Sequence, residues 1–294
     1  MNDFTQATAL ESNDRRRQRR LGALAKGHPG MVIGLAILGI FILIAILAPL
    51  IAPYDPLEII PRAAKEEPSA AYLFGTDNLG RDVLSRVVYG ARISIGVGLI
   101  AVFIGVVSGT FLGMLSGFYG AWLDSFIMRF IDVMLAFPGI LLAIFVVAIM
   151  GPGLTNAMIA VGISVMPVYA RTTRGSILSV KTNEYVEAAR AIGVPDWRLM
   201  LRHILPNIMA PIIVVATVNV GTAILAAAGL SYLGLGAQPP SPEWGAMLSV
   251  ARNYLRDAWW MATFPGLSIM MIVLAVNLLG DGLRDLLDPS LRNQ

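Results

Sequence analysis

Charged residues are missing from five long stretches of this sequence, and these stretches set its hydrophobic pattern. They are 27–54, 93–123, 133–170, 203–242 and 258–280, and none contains Asp, Glu, Lys or Arg. An α-helix needs about 20 apolar residues to cross a hydrocarbon core about 30 Å thick. Two of the stretches, 27–54 and 258–280, therefore fit one span each, and 93–123 fits one long span with an interfacial end.

The two longest stretches are divided by residues that break helices. Gly151-Pro152-Gly153 splits 133–170 into two spans, because Gly and Pro interrupt a helix and supply turn geometry. The stretch 203–242 holds one span, from about Ile208 to Leu230, and then a loop rich in Gly and Pro. The pattern predicts an all-α membrane protein with six transmembrane helices.

Composition supports lipid as the main solvent of this protein. Of the 294 residues, 56% are hydrophobic and 14% are charged, which is too little charge for the surface of a soluble domain. The chain has no cysteine, so disulfides and thiolate metal sites are excluded. The formal net charge of +3 is better explained by membrane topology than by nucleic-acid binding, and we expect no nucleic-acid partner.

Two basic segments set the predicted topology. Segments 1–26 and 171–203 each carry six basic residues against three acidic ones, and four predicted spans separate them. The positive-inside rule places both segments, and therefore both termini, in the cytoplasm. The predicted organisation is a basic N-terminal segment, a first transmembrane helix, an external loop, a core of five helices with a cytoplasmic loop at 182–206, and a C-terminal tail (1–30, 31–52, 53–92, 93–285 and 286–294).

The predicted spans lack the ionisable residue that ion-coupled carriers usually keep inside the membrane. Asn219 and Asn277 are the best polar candidates, and both residues are typical of helix–helix hydrogen bonding. An ion-coupled secondary transporter is therefore disfavoured, but it stays open because purely polar substrate sites exist.

Enzymatic alternatives have little support. Gly229-Leu230-Ser231-Tyr232 has the shape of a nucleophile motif, but a serine nucleophile needs a base within hydrogen-bond reach. The two histidines, His28 and His203, are predicted at cytoplasmic helix ends, whereas Ser231 is predicted at the external end of its helix. No catalytic residue is expected.

The sequence also lacks a phosphate-binding loop. That motif needs a Gly-Lys-Ser/Thr run, and Lys181, although followed by Thr182, is preceded by Val180. If the protein uses ATP, another chain binds it.

One predicted span has a stripe of glycines at every fourth position. Small residues at this spacing lie on one helix face and let a neighbouring helix approach closely. We expect this stripe to serve helix packing (Gly105, Gly109, Gly113 and Gly117).

The cytoplasmic loop between the fourth and fifth spans predicts a small helix–turn–helix. Residues 183–192 are good helix formers, Gly193 suits the left-handed position past a helix end, and Pro195 suits the first turn of a second helix. Pro206 is predicted to break the chain before the next span. Two apolar faces are expected, one with Tyr185, Ala188, Ala189 and Ile192, and one with Trp197, Met200, Leu201 and Ile204. Such faces suggest docking into a groove of a partner.

The ordered residues of this loop resemble the EAA loop of ABC importer permeases, through which these subunits grip their ATPases. The match rests on Glu187-Ala188-Ala189, Gly193 and Leu205-Pro206, and His203 departs from the isoleucine that the motif often has. The resemblance makes a set of residues candidates for ATPase coupling: Glu184, Tyr185, Glu187, Ala188, Ala189, Arg190, Gly193, Trp197, Leu205 and Pro206. Glu187 could pair with Arg190 or with a basic residue of the ATPase.

Motifs from about residue 30 to 290 are similar to the dipeptide/oligopeptide permease family. They are Phe74-Gly75-Thr76-Asp77, Gly80-Arg81-Asp82, Gly90-Ala91-Arg92, Ala136-Phe137-Pro138, Leu233-Gly234-Leu235-Gly236 with Pro239-Pro240, Glu243-Trp244-Gly245, and Gly280-Asp281-Gly282-Leu283-Arg284-Asp285. The resemblance implies the type I ABC importer permease fold and a C-type permease of the bacterial inner membrane. Its implied partners are two ATPase subunits, which bind the ATP, a second homologous permease and an external solute-binding protein.

The resemblance implies import of dipeptides, oligopeptides or a related solute such as glutathione, by alternating access that the loop couples to the ATPases. Relatives also carry nickel complexes, but this chain has no Cys and no His pair with ligand spacing, so no metal site is expected. The main alternative outside transport is a membrane scaffold whose loop recruits a partner without moving cargo.

Overall fold

The computed structural model describes residues 29–287, and this part of the chain is helical apart from turns and loops. The basic N-terminal cluster and most of the predicted C-terminal tail lie outside the described residues. In chain order the helices are α1 Pro29–Ile46, α2 Ala48–Ile51, α3 Val83–Tyr119, α4 Ala121–Leu135, α5 Gly139–Met150, α6 Leu154–Val180, α7 Glu184–Ala191, α8 Asp196–Arg198, α9 Leu205–Tyr232, α10 Trp244–Ala251 and α11 Trp260–Leu287.

Within the described range, five helices are long and apolar enough to cross a membrane: α1, α3, α6, α9 with the turns before it, and α11. A sixth span results if α4 and α5, which meet at an angle of 96°, count as one broken span. The split at 151–153 lies where the sequence placed it, since α5 ends at Met150 and α6 begins at Leu154.

The third predicted span, however, is not one straight helix. α4 ends at Leu135 and α5 begins at Gly139, so the chain turns at Ala136-Phe137-Pro138. Pro138 has no N–H to donate and disfavours helical geometry in the residue before it. The apolar pattern hid this break because residues 133–150 contain no charged residue on either side of it.

The second span begins earlier than predicted. α3 starts at Val83, so residues 83–92 belong to the helix and not to the external loop. Asp82 caps this start by accepting a hydrogen bond from the backbone N–H of Ser85 at 2.7 Å. Arg86 lies buried in the first turns, where it donates to the carbonyl oxygen of Pro56 at 2.9 Å and lies 3.6 Å from Asp77. The charge that marked a loop in the sequence is thus satisfied by protein contacts.

The glycine stripe of α3 packs against α6. A Cβ added at Gly105 would lie 2.6 Å from Cγ2 of Val165, and one at Gly113 would lie 2.5 Å from the carbonyl oxygen of Ala170. Gly109 and Gly117 face the same helix. Close backbone contact along this face fixes the pairing of α3 and α6 in the helix bundle.

Both chain ends of the described range come together. A Cβ on Gly282, near the end of α11, would lie 2.5 Å from Cβ of Met31 at the start of α1. The first and last spans therefore run antiparallel, with the start of α1 and the end of α11 on the same side of the bundle.

Candidate functional site

The segment between α6 and α9 folds as the helix–turn–helix that the sequence predicts. α7 spans Glu184–Ala191, and the turn after it places Gly193 at φ +80°. The N–H of Val194 donates to the carbonyl oxygen of Ala189 at 3.2 Å, which closes the end of α7. Pro195 then precedes α8.

This segment rests on a buried apolar base. Val186, Leu199 and Ile204 are fully buried, and Ala189 is nearly so. They pack in one cluster with Ile177 at the end of α6 and with residues Met114, Ile208 and Ile212 of the neighbouring spans. Because α7 is only two turns long, this packing, and not its intrinsic propensity, holds it in place.

The opposite side of the segment is apolar and exposed. Ile192 is 82% exposed, Trp197 is 57% exposed and Leu201 is 51% exposed, with Tyr185 and Ala188 beside them. We name this surface the outer face of the segment. The structure therefore divides each predicted apolar face. Ala189 and Ile204 belong to the base and Met200 packs against it, while the other predicted members of the two faces are exposed.

The charged candidates lie around the outer face. Glu184, Glu187 and Arg190 are all exposed. The guanidinium of Arg190 lies 5.7 Å from the ring centroid of Phe118 at the end of α3, which is the distance of a cation–π contact. Glu187 makes no ion pair with Arg190 in the described part of the chain.

The predicted break at Pro206 is wrong. The chain continues from α8 through a π-helical segment, Leu199–Ile204, directly into α9, and Pro206 lies in the first turn of α9 beside Leu205. The wider π turns accommodate a residue that cannot donate a main-chain hydrogen bond. The segment is therefore joined to the fifth span by continuous helix from Asp196 to Tyr232.

Three polar contacts that the sequence did not indicate anchor the ends of α3, α4 and α6 beside this segment. Asp124 accepts two hydrogen bonds from Arg174, each at 2.6 Å, and also one from Ser116. Lys181, two residues before the helix–turn–helix, donates to the carbonyl oxygen of Gly117 at 3.1 Å. Opposite charges 50 residues apart carry no local sequence signal, so only the fold brings them together.

The structure gives no support to a serine nucleophile at Ser231. This side chain is buried and its hydroxyl oxygen accepts a hydrogen bond from the N–H of Ala237 at 3.0 Å. His203 lies just before the opposite end of the same long helix, α9. Ser231 thus closes the turn after α9.

Comparison with protein families matches most of the chain. The model described as "Binding-protein-dependent transport system inner membrane component" matches residues 109–293. A second model, the N-terminal TM domain of oligopeptide transport permease C, matches residues 26–68.

Similar proteins match over nearly their whole length. The dipeptide transport system permease protein DppC of Alkalihalophilus pseudofirmus is 51% identical over 262 residues, which cover 89% of this chain and 86% of the relative. The glutathione transport system permease protein GsiD of Escherichia coli O157:H7 is 51% identical over 266 residues, which cover 90% and 88%. The di/tripeptide permease DppC of Pseudomonas aeruginosa is 48% identical over 272 residues, covering 90% of each.

The fold also has a solved counterpart. A chain of the inward-facing MetNI methionine ABC transporter superposes with a TM-score of 0.55 at 20% identity, covering 69% of this chain and 96% of that one. At this identity the likeness concerns the fold alone.

Proposed function

Since the chain belongs to the family of binding-protein-dependent transport system inner membrane components, we propose that it is the permease subunit of an ATP-driven importer for dipeptides, oligopeptides or a related solute such as glutathione. It is a multi-pass protein of the bacterial inner membrane. The cargo classes are those of relatives that share about half of their residues with this chain.

The observation that carries the proposal is the outer face of the helix–turn–helix. Large apolar side chains such as Ile192 and Trp197 are exposed on a short connector between two spans, above a base that is fully packed. Exposed apolar patches of this kind mark sites of protein association. A short amphipathic helix held on a rigid helical support suits docking into a groove on an ATPase subunit.

The coupling mechanism follows from the connections of this segment. ATP binding by two partner ATPases draws their grooves together, and the movement passes to the outer face. The π-helical rod transmits the movement to α9, while the Asp124–Arg174 pair and Lys181 keep the ends of α3, α4 and α6 in register. The permease binds no ATP itself, and a second, homologous permease completes the path.

The proposed topology places both termini and the helix–turn–helix in the cytoplasm. The start of α1 and the end of α11 lie side by side. The helix–turn–helix belongs to segment 171–203, whose excess of basic residues favours the cytoplasmic side. The external solute-binding protein then meets the opposite end of the bundle, formed by the loops before α3 and before α11.

Purification from the native host tests this function. A tagged chain is extracted in mild detergent, its companions are identified, and Trp197→Ala is compared with the control Trp122→Ala, which removes a Trp that is 76% exposed on α4. We expect two ATPases and a second permease with wild type and with the control, and weakened ATPase recovery with Trp197→Ala. A wild-type chain that purifies alone under several gentle conditions contradicts the importer and favours a self-sufficient carrier.

Cargo is tested separately with the complete complex in proteoliposomes. Peptide-loaded binding protein should stimulate the ATPases and drive uptake of labelled dipeptide or glutathione. Stimulated hydrolysis without uptake of either cargo contradicts the cargo class, and absence of any stimulation favours the scaffold.

A further inference from the structure

The second half of α6 presents a polar face to the outside of this subunit, although α6 is long and apolar enough to be a membrane span. Residues at spacings of three and four share this face, and all are exposed or half-exposed: Ser164, Val168, Arg171, Thr172, Gly175 and Ser179. Lipid is a poor neighbour for the end of this face that carries Arg171, because a charged group loses its hydration there.

An exposed ion pair lies on the same face. Nη2 of Arg171 is 2.5 Å from Oδ1 of Asp132 on α4, and the two side chains are 59% and 56% exposed. Arg171 lies about 26 Å along α6 from Leu154, which places the pair at the cytoplasmic end of a hydrocarbon core about 30 Å thick. The pair therefore has access to cytoplasmic water and stands at the cytoplasmic end of this face.

The break between α4 and α5 lies deeper in the membrane. Val147 of α5 packs in one cluster with Ala160 in the first half of α6, whereas Met134 of α4 packs with Met166 further along. The break at 136–138 is therefore about 15 Å from the start of α6, near the middle of the core. These residues are exposed in the subunit, and irregular backbone at membrane depth occurs where it is covered by protein or lines water.

We propose that this face of α6, with Asp132 and the break at 136–138, lines the water-filled path along which the cargo crosses the membrane. This inference rests on the proposed function and names the surface that serves it. A path suits the face better than a tight contact with another subunit, because its hydroxyls already have partners. Ser164 donates to the carbonyl oxygen of Val161 at 2.8 Å, and Thr172 donates to that of Val168 at 2.9 Å.

The chemistry of this surface fits a zwitterionic peptide. Hydroxyl groups that already bond to carbonyl groups of their own helix give a hydrated surface without a strong binding site. Peptides with varied side chains can therefore pass along it. The Arg171–Asp132 pair offers a cation for the peptide carboxylate and an anion for its ammonium group at one level of the path. The cargo therefore passes this ion pair on its way along the path.

Thiol labelling tests the proposal directly, since the natural chain has no cysteine. Ser164→Cys and Val168→Cys place a thiol on the proposed path, about 15 and 21 Å along α6 from Leu154. Leu43→Cys, on α1 at a site that is 57% exposed, is the matched control for lipid, and Ala160→Cys, on α6 at a fully buried site, is the control for unfolded chains. The tagged variants are treated in native membranes, with their partners present, with a charged maleimide on both sides.

We expect Ser164→Cys and Val168→Cys to react at least roughly tenfold faster than Leu43→Cys, because the reactive thiolate forms in water and not in lipid. Ala160→Cys should stay unlabelled. Rates at Ser164→Cys and Val168→Cys equal to that of Leu43→Cys overturn the proposal, since lipid or a partner subunit then covers the face.

The labelling experiment and the test of the proposed function can fail independently of each other. Labelling requires no cargo, so it still succeeds if the cargo class is wrong, and dipeptide uptake by wild type is measured independently. If wild type imports dipeptide while both path cysteines stay unreactive, the function stands and this assignment of the path is wrong.

Discussion

Asp124 and Arg174 form a paired contact in which Nε and Nη2 of the arginine each lie 2.6 Å from one carboxylate oxygen of the aspartate. The pair joins the first turn of α4 to the second half of α6, and both side chains are largely shielded from solvent. Two parallel hydrogen bonds fix direction as well as distance. The pair therefore ties the start of the broken span to α6.

Replacing Asp124 with Asn should destabilise the chain by about 1–2 kcal/mol, because Arg174 keeps its charge and loses a two-bond partner. The measurement is thermal unfolding of the purified complex in detergent. Asp132→Asn is the matched control, since its ion pair is more than half exposed and should contribute about 0–1 kcal/mol. Equal losses of stability in the two variants would show that the two hydrogen bonds of the Asp124 pair contribute no more than an exposed ion pair.

Helix packing gives a second prediction. Gly113→Ala places a Cβ about 2.5 Å from the carbonyl oxygen of Ala170, and backbone on both sides prevents easy relief. We expect a loss of about 1–3 kcal/mol, as for other overpacked interiors. Gly96→Ala on the same helix adds its Cβ where no atom lies within 4 Å, so it should be neutral or slightly stabilising. Thermal unfolding in detergent compares them, and equal stability of the two variants would contradict close packing of α3 on α6.

Features with a local cause were predictable from the sequence. Gly193 and Pro195 specify the turn of the helix–turn–helix through their own backbone preferences, and the structure has that turn at the same residues. The split at 151–153 is equally local, and Gly151 and Gly153 both have positive φ angles. Glycines four residues apart define one helix face whatever the partner helix is.

Features that depend on distant residues were missed. Arg86 lay within the predicted external loop 53–92, yet Pro56 supplies a hydrogen bond that lets it lie buried in α3. Pro206 was expected to end a helix, but the preceding π turns absorb it. The division of the helix–turn–helix into base and outer face depends on which residues meet Met114 and Ile177, and periodicity alone placed Ala189 and Ile204 with the exposed residues.

The turn at Gly193 provides a third prediction. Its φ of +80° is costly for a residue with a Cβ, so Gly193→Val should strain the turn by about 1–3 kcal/mol and shift the outer face. Recovery of the ATPases with the tagged chain should fall, while Gly193→Asn should retain more of it because Asn tolerates this conformation. Gly229→Ala is the control for losses during purification of the complex, because a Cβ added at this helical position would meet no atom within 4 Å. Full ATPase recovery with Gly193→Val would show that the turn does not position the docking surface.

Two leucines separate support of the segment from contact with its partner. Leu199 is fully buried in the base, so Leu199→Ala should lower the stability of the segment by about 2–5 kcal/mol and also reduce ATPase recovery. Leu201 is 51% exposed on the outer face, so Leu201→Ala should leave the thermal unfolding of the isolated chain almost unchanged and still reduce ATPase recovery. Both quantities are measured on the same preparations, the first after removal of the partners. Loss of ATPase recovery only in Leu199→Ala would mean that the outer face makes no contact with the ATPase. The ATPase would then recognise the position of the helix–turn–helix through the charged residues around that face, Glu187 and Arg190.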